Sequence, residues 1–568
     1  MKFDKETLIV LGTCMILMLA WPSISEFMGW SKPRSKPAPA QTQPAPAQTS
    51  AAPVQTQPAP AQTPAQTPAV PSVAVKIPAG CTLTGDDLAV EISGATGAVE
   101  SLTFRKYLNN DRTAPIRIAS GDASGALFRY FIPDVATGTL PDGELLRSGD
   151  SVTSSRILTI PQGKFRLVQT VTLDANYVLR CKYAFAAAGT TPVVIPSAVI
   201  SGGAMGTWHE LSGDKIRAVS HRLDYLTVSG DFDDVKADAD AEKFFLNPAP
   251  QVRWAGVSNK YFCILLKSGA PFTLWQGRRF ADGDRKRPEI AAGMRLPAMT
   301  LLPGVPQTLE VSVYAGPKVM NNLAAFAPDA EKVMHLAWGP LNYLARFLLW
   351  VLNFFQQLCG SYGLSIIILT LLVRTVFYPL TARGNESMKK MQKVQPQFKE
   401  LREKYKDNPQ LLNQKMAELY RKEGVNPFAG CLPILLQIPI FFALYAMLDN
   451  VIGLRHVSFL WCRNLAAADT VCRIPLFVNL PLIGDGIPVN PLVLVMTALM
   501  VVQQRMTPMA ADPMQKKMMA MMPVVMLVFL YDLPSGLTLY WTVSNIFSIV
   551  QLWLQKRRGR APVAARSN

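Results

Sequence analysis

Five apolar stretches, at roughly residues 361–380, 428–448, 488–504, 517–533 and 535–555, constrain this chain more than any other feature. Hydrocarbon offers backbone N–H and C=O groups no partner, and a helix satisfies them within itself. The runs approach the length of about 20 residues that a spanning helix needs. They commit the C-terminal part to a helical membrane core. Several offer only about 13–17 firmly apolar residues, and Pro433, Pro439, Pro491 and Pro523 interrupt them. Short spans thin the bilayer around them or leave their ends in a wet cavity.

The loops set the direction of these spans. Residues 383–426 hold eleven Lys or Arg, the 505–517 loop has Arg505, Lys516 and Lys517, and the tail 556–568 has Lys556, Arg557, Arg558, Arg560 and Arg566. The 449–487 loop has only Arg455, Arg463 and Arg473. Basic loops stay in the cytoplasm, so five crossings place 383–426, 505–517 and the C-terminus inside and 449–487 outside. The net charge of +17 thus lies beside membrane segments and is not a signature of nucleic-acid binding.

Residues 73–332 differ in kind. Short alternating runs such as FRLVQTVTLD, YVLRCKYAF and TLEVSVYA, separated by SGD, PDG and ADGD turns, predict a soluble, sandwich-like all-β domain. Its length is ample for a core. His209-Glu210 reads as a pair of neighbours on the surface rather than an active site. Before it, residues 31–72 repeat PAPAQT and TPAQ and read as an extended Pro/Ala/Gln/Thr-rich spacer. Residues 1–30 read as an uncleaved transmembrane anchor with the N-terminus inside, which leaves 31–332 outside. Residues 333–358 carry Asn342, Arg346, Asn353, Trp338 and Trp350 among apolar residues. This composition suits an amphipathic helix lying at the interface, and a sixth crossing there would put the β domain on the wrong side.

Within 361–382 the run SIIILTLLVRTVFYPL holds one charge, Arg374. It lies about six residues, or about 9 Å, from the cytoplasmic end near Leu380. A buried cation costs about 2.5–3.5 kcal/mol at a helix centre on the mildest scale. Snorkelling is one reading; a water-filled cavity is the other. Thr370 lies one turn above on the same face, Gln437 sits in mid-span, and the last run carries Thr538, Thr542, Ser544, Asn545 and Ser548. None of the runs holds Asp or Glu well inside it. An intramembrane arginine without a built-in carboxylate points to a visiting anion.

Other features are less pointed. The eight cysteines show no CxxC and no Cys/His pairing, so no metal or cofactor is expected. Cys462 and Cys472, in the outer loop, are a candidate disulfide. Residues 506–526 are dense in Met, which suits either an adaptable apolar surface or soft packing. Residues 383–426 read as an amphipathic helical hairpin broken at Asn408-Pro409. No phosphate loop and no catalytic triad argues for an enzyme.

The stretches LTLLVRTVFYPLT, VNPFAGCLPILLQIPIFFALYAML, DPMQKKMMAMMP and LPSGLTLYWTVSN, in this order, resemble the YidC membrane-protein insertase family, in the form with a large periplasmic domain. The resemblance covers most of residues 335–555. It implies a multi-domain integral membrane protein of the bacterial inner membrane, with five core helices around a hydrophilic groove that is closed on the outer side. It also implies a β-supersandwich outer domain and a mobile cytoplasmic hairpin. The family's arginine corresponds to Arg374. Tyr540 and Trp541 stand where members carry an aromatic pair, often Tyr-Tyr; indole cannot accept a hydrogen bond as phenol can, which leaves an aromatic contact as the role at 541. The implied partners are nascent membrane-protein clients, the lipid bilayer and components of the Sec translocon. A ribosome or signal recognition particle receptor would meet the hairpin and the short basic tail. The rival readings from the residues alone are an anion or solute transporter with an external ligand-binding β domain, and a scaffold for outer partners. The runs show no inverted repeat, which a transporter of that kind would favour.

Overall fold

The computed structural model of the chain describes residues 75–558, apart from 78–79, 110–111, 120–124, 134, 136–137, 141–144, 206–220, 238–240, 281–287, 338, 407, 424–431, 475–486 and 508–512. The expected anchor (1–30), the spacer (31–72), His209-Glu210, Trp338 and the tail beyond Arg558 lie outside the described residues, as do residues 508–512 of the 505–517 loop.

Alternation along the strands builds the β domain. In Gly163–Leu173, the side chains of Phe165, Leu167, Gln169 and Val171 are buried while their neighbours are not. In the partner strand Val178–Ala187 the buried set is Leu179, Cys181, Tyr183 and Phe185. The antiparallel register sets Leu167 opposite Phe185 and Val171 opposite Cys181, so both apolar rows fall on one face. These strands belong to a 14-stranded sheet whose main path runs Val75–Ile77, Leu145–Ser148, Ser151–Ile160, Gly163–Leu173, Val178–Ala187, Gln307–Pro317, Phe262–Phe280, Gln251–Ser258, Arg222–Thr227 and Phe232–Lys236. Neighbours on this path pair antiparallel. A four-stranded sheet, Gly80–Thr84, Leu88–Ser93, Val99–Leu108 and Pro115–Ala119, packs on it. Phe104 of the small sheet meets Phe262 of the large one with ring centroids 4.6 Å apart. The domain is a β-sandwich, as its sequence predicts.

A short helix, Met320–Phe326, and a 3₁₀ turn, Ala330–Met334, leave the sandwich and lead to α1, Pro340–Cys359. The expected interfacial helix therefore starts later than residue 333. Pro340 opens it, where a missing N–H costs nothing, and Gly360, at φ 67°, closes it in the left-handed conformation that glycine adopts freely. One face of α1 buries Ala345, Leu348, Leu349 and Leu352. The other exposes Tyr343, Phe347, Trp350, Phe354 and Leu358, a stripe at three- and four-residue spacing.

The helical region continues with α2 (Tyr362–Val376), α3 (Tyr378–Lys404), α4 (Pro409–Lys422), α5 (Leu432–Asn450), α6 (Pro491–Met506), α7 (Pro513–Leu530) and α8 (Ser535–Arg558). The expected segment 361–382 is divided at Phe377. Pro379 has no N–H to continue the α2 ladder and stands in the first turn of α3, where that loss costs nothing. Helices α3 and α4 form a hairpin: the Asn408 side chain caps α4 by accepting from Leu411 N at 3.1 Å, and the rings of Phe398 and Tyr420 lie 4.8 Å apart. Of the four prolines expected to interrupt the spans, Pro439 and Pro523 lie inside helices, whereas Pro433 and Pro491 stand in first turns. By length and hydropathy, α8 is long and apolar enough to cross a membrane among the described residues, and α2, α6 and part of α7 are shorter apolar helices. At 15 residues, α2 extends about 22 Å against a hydrocarbon core of about 30 Å.

Three polar attachments join the sandwich, or the 3₁₀ turn that leaves it, to the helical region. Arg346 of α1 pairs with Glu331 at 3.3 Å. Lys260 pairs with Asp449, near the end of α5, at 2.8 Å. Arg112 donates from Nε to His456 Nδ1 at 3.2 Å and from Nη2 to the carbonyl of Arg463 at 2.5 Å, while Arg455 reaches the carbonyl of Leu108 at 2.5 Å.

The expected disulfide is not formed: Cys462 and Cys472 are both free. Cys462 is buried in a tight turn, exchanging backbone hydrogen bonds with Phe459 at 2.9 and 3.0 Å. Cys472 starts the exposed strand Cys472–Ile474, held by its pairing with Ile487–Val489. The two thiols thus belong to separate local structures.

Candidate functional site

The site forms where α2, α5 and α8 meet. Helix geometry separates the polar side chains of α8 into two stripes, because residues three and four apart share a face. One stripe is Thr538, Thr542 and Asn545. It turns toward α6, where Asn545 donates to the carbonyl of Met496 at 3.4 Å. The other is Tyr540, Ser544, Ser548 and Gln551. It turns toward α2 and α5.

On this second stripe, contacts follow turn by turn. Gln437 of α5 donates from Nε2 to the Tyr540 hydroxyl at 2.7 Å. One turn on, Arg374 of α2 donates from Nε to Ser544 Oγ at 2.6 Å, and its Nη2 bonds to the same oxygen. Two turns further, Gln551 reaches Thr381 Oγ1 at 3.4 Å. Arg374 and Gln437 are half-buried, while Tyr540 and Ser544 are buried at 1% exposure each. The arginine is therefore held by a neutral oxygen. None of the ion pairs among the described residues involves it. A guanidinium satisfied by hydroxyl alone keeps its charge available to an anion.

The remaining candidates separate. Thr370 is fully buried and donates to the carbonyl of Ile366, one turn back in its own helix, at 2.6 Å. It supports α2 from within and does not face an opening. Thr542 and Ser548 likewise bond to carbonyls four residues back, at 2.8 and 3.0 Å. Trp541 meets Phe441 edge to face at 5.2 Å. The sequence reading places Ser544 among the polar residues of the last run without singling it out. The 540/544/548/551 spacing carries the signal, but only a known neighbour for that stripe selects Ser544.

Two cavities in the β-sandwich lie away from this site; the larger, about 430 Å³, is lined by Gln251, Phe272, Met294 and Arg295 among others. No cluster of His, Cys, Asp and Glu suited to a metal occurs among the described residues.

Residues 81–351 match the family model described as the YidC periplasmic domain, and residues 354–561 match the 60Kd inner membrane protein model. A relative from Pelobacter propionicus, named membrane protein insertase YidC, is 31% identical over 469 residues, covering 80% of this chain and 82% of its own. The relative of the same name from Geobacter sulfurreducens is 40% identical over 309 residues, covering 54% of this chain and 53% of its own. In that second match the chain spans about half the length of the relative. A crystal structure described as an active YidC insertase with its first transmembrane domain resolved aligns with 85% of this chain at 17% identity and a TM-score of 0.36.

Proposed function

This chain belongs to the YidC family of membrane protein insertases, and from that premise we propose that it inserts client proteins into the inner membrane through the site around Arg374. The family is one of inner-membrane proteins with a periplasmic domain, and its members are named as insertases, not as enzymes. The observation that carries the proposal is a half-buried arginine whose partner is a serine hydroxyl and not a carboxylate.

The order of events follows from the physical chemistry. A hydrophilic tail or hairpin of a nascent client enters from the cytoplasm. Arg374 attracts its acidic residues where the dielectric is lowered and a charge is felt more strongly than in water. The short α2 and α6 thin the bilayer, which shortens the polar segment's path. The client's apolar helix then leaves sideways into lipid, driven by burial at about 25 cal/mol per Å² of apolar surface. A membrane potential adds about 2.3 kcal/mol per acidic charge per 100 mV for outward movement.

In this reading α2, α5, α6, α7 and α8 cross the membrane, and the sandwich and the 449–487 loop are periplasmic. Both termini and the α3–α4 hairpin are cytoplasmic. Helix α1 lies at the outer interface with its aromatic stripe toward lipid. The clients arrive alone or beside the Sec translocon. A ribosome or signal recognition particle receptor would meet the basic hairpin and tail.

The test is photocrosslinking from position 541 to a nascent single-span client, with insertion scored in parallel for Arg374 and Arg374→Ala. Crosslinks, together with loss of insertion of an acidic-tailed client in the variant, support the proposal. Normal insertion without the charge, or no client crosslink, refutes it.

A further inference from the structure

Arginine offers a carboxylate two bidentate edges, one made by Nε and Nη2 and the other by the two Nη groups. Here the first edge is closed, because both Nε and Nη2 of Arg374 bond to Ser544 Oγ. Ser544 is 1% exposed and sits on the rigid α8, one turn from Tyr540, which Gln437 fixes in turn. A single neutral oxygen thus stands where two carboxylate oxygens would give a stronger, charge-assisted fork.

We propose that Ser544 is a positioning residue for insertion: it holds the Nε/Nη2 edge of Arg374 as a resting acceptor, and a client carboxylate takes that edge by displacing it. The inference rests on the reading of Arg374 given above. Three consequences follow from the chemistry. The guanidinium stays extended toward α8 instead of bending to the interface, because both donors on that edge are satisfied. The resting contact can be exchanged, since a carboxylate brings a second acceptor oxygen and an opposite charge to the same two donors. And the site discriminates by charge: a client amide or hydroxyl gains nothing over Ser544, whereas a carboxylate does.

The experiment uses the full chain in proteoliposomes without a membrane potential, so that the potential does not itself favour acidic tails. The readout is the ratio of insertion for two single-span clients that differ in two tail residues, Asp-Asp against Asn-Asn. Ser544→Asp supplies a permanent carboxylate to Arg374. It is expected to lower the ratio by about tenfold, to the level of Arg374→Ala. Ser544→Thr keeps the hydroxyl and the wild-type ratio. Ser544→Ala removes the competing oxygen with little change in volume and raises the ratio; it serves if the aspartate variant fails to fold. A wild-type ratio in both Ser544→Asp and Ser544→Ala, with the ratio lost in Arg374→Ala, overturns the role of Ser544 and leaves that of Arg374. A ratio unchanged in Arg374→Ala overturns both.

Discussion

Gly363 stands in the first turn of α2, buried beneath the ring of Phe459 from the 449–487 loop. A Cβ built on Gly363 overlaps Cδ2 and Cγ of that ring. Carbon atoms rest at about 3.5–4.0 Å, so Gly363→Ala forces the ring back by more than about 1 Å. The ring cannot retreat freely, because Phe459 exchanges two backbone hydrogen bonds with Cys462. Overpacking of this kind costs about 1–3 kcal/mol. The gain in helix propensity from glycine to alanine, about 0.5–1 kcal/mol, opposes it. The expected net loss is about 0–2.5 kcal/mol, read as a lower midpoint of thermal unfolding in detergent. The sharper expectation is a change of sign. In a Phe459→Ala background the clash is gone, and Gly363→Ala should become neutral or stabilising. The cycle should therefore show coupling of about 1–3 kcal/mol. Additive effects in the two backgrounds would refute the packing argument.

Other expectations follow from single contacts. Removing the Gln437 amide with Gln437→Leu strands the buried Tyr540 hydroxyl and should cost about 1–3 kcal/mol, largely recovered by adding Tyr540→Phe, as thermal midpoints would report. With both thiols free, maleimide should label Cys472 in the folded protein and spare the buried Cys462, and reductant should leave the midpoint unchanged. Burial first, and then the charges of Arg455 and Arg112, hold the His456 imidazole below its ordinary pKa, so its neutral Nδ1 accepts from Arg112. A depressed folded pKa gives a contribution that is complete above the unfolded value of about 6.5 and is lost as pH falls through the folded one. Thermal midpoints should decline with acidification below about pH 6.5, and the decline should flatten in His456→Asn.

How far the residues foretell this structure depends on the range of the interaction. Arg374 stands out because a charge in an apolar run is rare. The sandwich strands stand out because Phe165, Leu167 and Val171 alternate with polar neighbours. Helix limits were less legible: Phe377 ends α2 through a proline two residues later, and Gly339 and Pro340 delay the start of α1. Partners were hidden where sequence separation is large. Arg374 and Ser544 are 170 residues apart, and Arg112 and His456 are 344 apart. Choosing Ser544 over Thr542 or Ser548 requires the rotation of α8 about its axis, which its neighbours set and its own sequence does not. The same limit applies to Cys462 and Cys472, which the loop spacing brings together but which are both free and lie in separate local pairings.

The three attachments of the sandwich have a mechanical meaning. Glu331 to Arg346, Lys260 to Asp449, and Arg112 with Leu108 to the 455–463 turn are separate points of support, and three supports fix a tilt as the legs of a stool do. A pull on the sandwich is shared between α1 and the end of α5. Helix α5 carries Gln437 near its other end. Pro439 lies between Asp449 and Gln437, so a tug at Asp449 meets a joint in α5 before it reaches the Tyr540 hydroxyl, and the sandwich is a handle on a hinged lever.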